Sequence, residues 1–490
     1  MKKTVLLLLS IALFSSAFAQ KNKAYELKFK VNGVNDTTVY LANYFGDKLF
    51  YKDTAKANSK GEFVFDGKTK LATGKYAVVT PGPKYFELFV EEQRFYMETD
   101  TADFAAHMKV TNSPNNQLLY NYVQFIINKR KESEKLSADL AIHSSDPEKS
   151  KAITQRMVDL NNEVLAYQKS AVSSNPSLIT AKALNIMIPV EIPEAPKRED
   201  GSIDSLWGYR YYYNHFLDHV DLRDSNMVRL PEFHKKLEEF MNKVVVQTPD
   251  SINITADRLI KKVEDIPELF KYVVHHVTSA AQASKIMGME NVYVHMADNY
   301  YLTGRTPWVD STNMAKIAEQ VDRLKPTLIG KTAPRLKLAD TLETWIDMYD
   351  IKANYTILFF YDPDCGHCKK QTPVLVDLLE KNKGKSIAVY AVSGDTDEKW
   401  NKFIRDQKLH GPNVYNVAAP QKVYSDSKFA TELILQGKTD YGSLNYRTTY
   451  DIFSTPKVML LDDQKKILAK QISVEQVFEM IDNLSSRKKK

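Results

Sequence analysis

The chain has 490 residues, of which 43% are apolar and 26% charged. These values are ordinary for globular folds, exclude disorder as the default and suggest about three domains by size. The formal charge of +6 comes from basic residues scattered along the sequence, apart from the terminal run Arg487 to Lys490, so no nucleic-acid partner is expected.

At the start, Lys2 and Lys3, an apolar run from Val5 to Phe14, and Ala17-Phe18-Ala19 before Gln20 read as a secretory signal peptide over residues 1–19. Its removal lowers the formal charge to +4. No cysteine lies near the cut, which excludes lipid attachment there. No later run reaches the ~18 apolar residues of a spanning helix, so no transmembrane span is expected in the mature chain. The expected location is the periplasm or cell envelope.

Residues 20–111 alternate in the manner of half-buried strands: Tyr25, Leu27, Phe29 and Val31; Val39 and Leu41; Phe63 and Phe65; Tyr76 and Val78; Phe95 and Met97. Turn signals separate them at Asn58-Ser59-Lys60-Gly61 and Pro81-Gly82-Pro83, and the pattern predicts a small antiparallel β-sandwich. Tyr40, Tyr44, Phe45, Phe50 and Tyr51 are expected in its core as strand aromatics, the alternative being a partner-binding face.

Residues 112–326 carry a helical pattern. Ser113-Pro114 and Asp146-Pro147 are helix starts of the cap-then-proline kind. Leu118, Leu119, Tyr122, Val123 and Ile126 share one face, and Met157, Leu160, Val164 and Leu165 share another. Pro189, Pro193 and Pro196 predict an extended crossing. His215 and His219, one turn apart near Asp218 and Asp221, are the only hint of a metal site here. A solvated or core pair is the expectation for them and for His275 and His276, so no metal is assigned.

In residues 327–490 the apolar run Tyr355 to Tyr361 predicts a buried strand, and Val374, Leu375, Leu378 and Leu379 predict an amphipathic helix. Between them lie the two cysteines of the chain, in Cys365-Gly366-His367-Cys368. A C-x-x-C between a strand and a helix reads as a redox site. At the first helical turn, residues three apart share a face, so the sulfurs can reach bonding distance. Free backbone N–H groups at the helix start, with His367 beside them, favour a thiolate at Cys365, which makes Cys365 the expected nucleophile and Cys368 the resolving thiol. A zinc site needs two further ligands that nothing nearby supplies. A purely structural disulfide would close too small a ring to matter.

Beyond the motif, strands are expected at Ser386 to Val392 and Val414 to Val417, and a helix from Glu398 to Lys408. The tyrosine-bearing stretch from Val423 to Tyr450, with Tyr441, Tyr446 and Tyr450, is expected to overhang the active site as a substrate-selecting loop. A hairpin around Asp462-Asp463 and a helix from Val474 to Leu484 close the fold, an α/β sandwich.

These residues resemble the thioredoxin superfamily, and within it exported TlpA-like and ResA-like thiol–disulfide oxidoreductases. Gly330-Lys331-Thr332-Ala333-Pro334 is similar to their entry segment, Pro373 to the helix-kinking proline, and Ser454-Thr455-Pro456 to the cis-proline loop. The resemblance implies that Thr455 and Pro456 bind an extended substrate. There are departures. Asp364 stands where most relatives have tryptophan, Phe359 where thioredoxins keep a buried acid, and Gln371 where TlpA-like proteins often place glutamate. With neither usual proton acceptor present, Asp362, Asp364 or water is expected to take the proton from Cys368. The Gly-His pair resembles protein disulfide isomerase. Residues 20–111 resemble a β-rich domain of unknown function that precedes such modules, and the segments Tyr209 to Leu222 and Tyr293 to Asp310 resemble a second domain of unknown function.

The expectation is therefore a multidomain chain: β-sandwich (20–111), all-α domain (112–326) and thioredoxin fold (327–490). It would reduce or isomerise disulfides of exported proteins through the Cys365–Cys368 disulfide alone. No bound cofactor is expected, and a membrane-bound thiol reductant would regenerate it. The rival is a redox-inert envelope scaffold that uses the thioredoxin fold as an interaction module.

Overall fold

The computed structural model describes residues 23–82 and 84–487. The expected signal peptide lies outside the described residues, as do Pro83 and the last three residues of the basic tail. The described residues form two compact units, one of those up to Val246 together with Leu259–Tyr272, the other of Gln247–Arg258 together with those from Val273 onward.

The first unit begins with eight strands, β1 (Tyr25–Asn32), β2 (Thr38–Phe45), β3 (Lys48–Lys56), β4 (Glu62–Gly67), β5 (Gly74–Thr80), β6 (Lys84–Val90), β7 (Arg94–Asp100) and β8 (Lys109–Thr111). They form two four-stranded sheets, ordered β4-β1-β7-β8 and β3-β2-β5-β6. Alternation in β1 turns Tyr25, Leu27, Phe29 and Val31 inward. The Phe29 ring lies 5.3–6.1 Å from those of Phe63, Phe65, Phe86 and Phe95, so aromatic packing joins the sheets. The sandwich is mixed rather than antiparallel, because β1 pairs in parallel with β7. At the turn before β4, Gly61 has φ +74°, and a Cβ there would sit 2.2 Å from the Val31 carbonyl oxygen, so only glycine fits.

The aromatic residues of β2 and β3 depart from expectation. Tyr44 is buried, but Tyr40, Phe45, Phe50 and Tyr51 are exposed, Tyr51 at 73%. The reason is position: β3 is an edge strand with little over it, and alternation along β2 sends Tyr40 and Phe45 outward.

Helices follow: α1 (Pro114–Ile142), α2 (Pro147–Ser174), α3 (Ile179–Ile186), α4 (Trp207–His215) and α5 (Pro231–Glu239). Ser113 and Asp146 cap α1 and α2 by accepting from Asn116 N and Lys149 N, with proline at the first turn of each. Buried Asn116 exchanges two hydrogen bonds with the Phe89 backbone, tying α1 to β6. Between α3 and α4, residues 189–206 run without helix. His215 Nδ1 lies 2.6 Å from Asp218, and its ring stacks on Tyr211. Helices α6 (Pro249–Val263), α7 (Pro267–Ala283), α8 (Met289–Met296) and α9 (Ser311–Leu324) complete the helical region. Among the described residues, no three His, Cys, Asp or Glu side chains group as a metal site requires, and no helix is long and apolar enough to cross a membrane.

In the second unit the strands β9 (Lys337–Asp340), β10 (Trp345–Asp347), β11 (Tyr355–Tyr361), β12 (Ile387–Ser393), β13 (Val414–Ala418), β14 (Lys457–Asp462) and β15 (Ile467–Lys470) form one sheet, ordered β10-β9-β13-β12-β11-β14-β15. The helices of this region are α10 (Gly366–Lys381), α11 (Glu398–Asp406), α12 (Lys422–Ser425), α13 (Ser427–Leu435), α14 (Tyr441–Leu444), α15 (Tyr446–Thr449) and α16 (Val474–Arg487). Strand β11 is buried along its whole length between parallel β12 and antiparallel β14. Its Ile357, Phe359 and Tyr361 join one core with Cys368, Leu375, Val477 and Phe478, while Leu358 and Phe360 join the opposite core. This is the α/β thioredoxin fold.

The stretch from Val423 to Tyr450 is not an overhanging loop. It forms short helices, two of them capped by Asp426 and Asp440, which accept from Phe429 N and Ser443 N. Tyr446 and Tyr450 are buried against Phe360, with ring centroids 5.9 and 5.2 Å away, whereas Tyr441 is exposed, at 75%.

Candidate active site

At the end of β11 the chain turns through Asp362 and Asp364 into α10, and Cys365 is the residue that caps this helix. Its backbone is extended, and its Sγ accepts from Cys368 N at 3.3 Å, a role usually filled by a serine or aspartate oxygen. The Cys365 thiol also donates to the Thr455 carbonyl at 3.2 Å. Cys365 is partly exposed and Cys368 fully buried, and both are present as thiols. The Thr455–Pro456 bond is cis. The sheet thus brings together a helix start and a loop 90 residues apart in sequence.

Opposing effects set the two thiols apart. Burial pushes the Cys365 pKa up, but the Cys368 side chain and backbone N–H, the Thr455 hydroxyl and the His367 backbone N–H all favour its thiolate, and the net direction is down. Burial, reinforced by hydrogen bonding to Cys365, pushes Cys368 up to about 12. One sulfur is therefore poised as an attacking thiolate and the other held as a protonated reserve.

His367 contributes through its main chain. Replacing it by proline, tolerated in the first helical turn, removes that N–H donor and should raise the Cys365 pKa. Replacement by alanine keeps the donor and should shift it less. Alkylation rate against pH measures both, and equal profiles for the two variants would contradict this assignment.

Asp364 is exposed and paired with Lys399 at 2.8 Å, which holds its carboxyl below the usual range and makes it a poor proton acceptor. Asp362 Oδ1 accepts from Asp364 N at 2.8 Å. A Cβ on Gly394 would lie 2.6 Å from an Arg447 nitrogen and 3.3 Å from Asp362 Oδ2, so a side chain there would push the Arg447 guanidinium aside. Gln371 turns toward Glu475 at the start of α16. Phe359 is fully buried and stacks on Tyr361. Gly366 has open space around its Cα.

Sequence reasoning missed a polar group behind Cys368. Buried Tyr361 accepts from Trp400 Nε1 at 2.9 Å and donates to Asn416 Oδ1 at 3.2 Å, in the core that contains Cys368. Burial keeps its phenol protonated. Only the tyrosine ending an otherwise apolar strand run could have signalled it.

Residues 329–470 match the AhpC/TSA family, residues 25–119 a domain of unknown function (DUF4369) and residues 155–326 another (DUF5106). The thiol–disulfide oxidoreductases ResA of Bacillus thuringiensis subsp. konkukian and Bacillus cereus are each 31% identical to this chain over 85 residues, which is 17% of this chain and 49% of the relative. The chain thus spans about half the length of the curated relatives it matches. Among solved structures, a domain of a possible thiol-disulfide isomerase from Cytophaga hutchinsonii is 41% identical, covering 34% of this chain and 99% of that one, with a TM-score of 0.27. A thioredoxin-like protein from Bacteroides caccae is 16% identical, covering 59% and 98%, with a TM-score of 0.39.

Proposed function

From a C-terminal domain that belongs to the AhpC/TSA family and has the thioredoxin fold, we propose that the chain is an exported thiol–disulfide oxidoreductase that reduces or isomerises disulfides of envelope proteins. The observation that carries this reading is the half-exposed, thiolate-favouring Cys365 beside buried Cys368 and facing the Thr455 carbonyl.

Cys365 thiolate attacks one sulfur of a client disulfide. That S–S bond breaks, a mixed disulfide forms, and the departing client thiolate takes a proton from water. Cys368 then gives up its proton, attacks Cys365 Sγ and releases the second client thiol. Two electrons have passed to the client, and Cys365–Cys368 is left as a disulfide. A membrane-bound dithiol donor returns the two electrons. With Asp364 held by Lys399, Asp362 or water is the acceptor left for the Cys368 proton. Thr455 and Pro456 bind the client backbone. Lys2, Lys3 and Ala17-Phe18-Ala19 support export.

Insulin reduction driven by dithiothreitol tests this reading: the protein should precipitate insulin faster than dithiothreitol alone, and a background rate would sink it. The potential should lie between those of thioredoxin and protein disulfide isomerase, ~−270 to ~−180 mV. A value near ~−120 mV would mark a disulfide-forming enzyme instead. The exposed Tyr40, Phe50 and Tyr51 favour a second reading, in which the sandwich binds a partner.

A further inference from the structure

Beside Thr455 and Pro456 lies a cavity of about 390 Å³ whose walls include Phe453, Ser454, Pro456, Val458, Gln471 and Ile472. Phe453 is 78% exposed. A single exposed apolar ring is commonplace, but this one is held in place. The Arg323 guanidinium carbon lies 5.1 Å from the centre of the Phe453 ring. Arg323 Nε lies 3.1 Å from Asp451 Oδ1, a partly buried ion pair whose alignment falls short of a hydrogen bond. Lys457 Nζ fixes the same loop by donating to the Tyr450 and Asp451 carbonyls at 3.0 and 2.6 Å. A ring that Arg323 packs against, on a loop that Lys457 fixes, loses less freedom when something packs on it.

Arg323 belongs to α9, which precedes the segment that carries the thioredoxin fold and lies in the same compact unit. Two separate stretches of the chain therefore build one surface. That surface adjoins the loop that faces the reactive sulfur: Pro456 lines the cavity, and the carbonyl of the preceding Thr455 accepts from Cys365. At no more than ~3.5 Å per residue, the Phe453 backbone lies within about 7 Å of that of Thr455, a reach that an extended client covers in about two residues.

Building on the exchange reading, we propose that Phe453, positioned by Arg323 and Asp451, forms a subsite for a large apolar or aromatic side chain close to the disulfide cysteine of an extended client segment. The cavity is large enough for an aromatic ring, and its apolar walls are Phe453, Pro456, Val458 and Ile472. Phe453 is a specificity residue and Arg323 a positioning residue.

The test uses the full chain and two disulfide-linked peptides that differ only in phenylalanine or glycine two residues from the cysteine. The wild type should favour the phenylalanine peptide in kcat/KM by about tenfold, mainly through KM. Phe453→Ala should bring the preference close to one. Arg323→Gln should lower it through KM while kcat is kept, and Arg323→Lys should restore part of it. A wild type without preference, or a preference that survives Phe453→Ala, overturns the subsite. If Arg323→Gln lowers kcat for both peptides alike, the positioning role is overturned. A wild type inert toward both peptides would instead overturn the exchange reading, and the subsite with it.

Discussion

Cys365→Ala is expected to reduce insulin-reducing activity to background, a loss of at least ~10³-fold, while Cys368→Ser accumulates covalent adducts with client proteins. The asymmetry follows from placement: Cys365 is partly exposed and held toward thiolate, whereas Cys368 is fully buried and protonated at neutral pH. Only the first can reach an incoming disulfide, and only the second can resolve the adduct. Neither change should unfold the domain. Losing the Cys365 cap on Cys368 N costs about 1 kcal/mol, and a serine hydroxyl at position 368 costs ~1–3 kcal/mol if it finds no partner. Non-reducing gels of both variants, with circular dichroism as the folding control, make the comparison. Equal adduct formation by the two would reverse the order of attack.

The same difference predicts that iodoacetamide modifies Cys365 at least about thirtyfold faster than Cys368 at pH 7. With Cys368 near 12 and Cys365 below its ordinary value near 9, the thiolate fractions differ by ~10³. The more basic thiolate is intrinsically more nucleophilic, which returns a factor of ~20. Burial of Cys368 widens what remains. Peptide mapping after brief alkylation of the reduced protein reads the ratio, and in denaturant the difference should collapse. Comparable labelling in the folded state would mean that the two sulfurs share one environment.

The centre of the thioredoxin fold is legible in the sequence because its signals are local. Tyr355 to Tyr361 reads as a buried strand since both of its faces are covered, and Ser113-Pro114 and Asp146-Pro147 announce their helices through caps within the same turn. The cysteine pair and Ser454-Thr455-Pro456 could be singled out by type and spacing. What escaped depends on partners far away in sequence. Lys399 reaches Asp364 across 35 residues, and Trp400 reaches Tyr361 across 39. Asp426 and Asp440 read as loop residues because aspartate serves turns and helix caps equally well. Exposure of Phe50 and Tyr51 follows from β3 lying at a sheet edge, which alternation along one strand cannot reveal.

The parallel pairing of β1 with β7 also orders events in time. A hairpin can form as soon as its second strand has been synthesised, but a parallel neighbour must come from elsewhere in the chain. Lys30 meets Glu98 across 68 residues. As the polypeptide grows from its N-terminus, β1 can zip to β4 early, yet its other edge stays open until β7 has been made. Until then Leu27 and Phe29 have only part of their final cover. Closing so long a loop costs more chain entropy than closing a hairpin, and an edge of β1 left without β7 is a row of unpaired backbone groups on which another strand could pair.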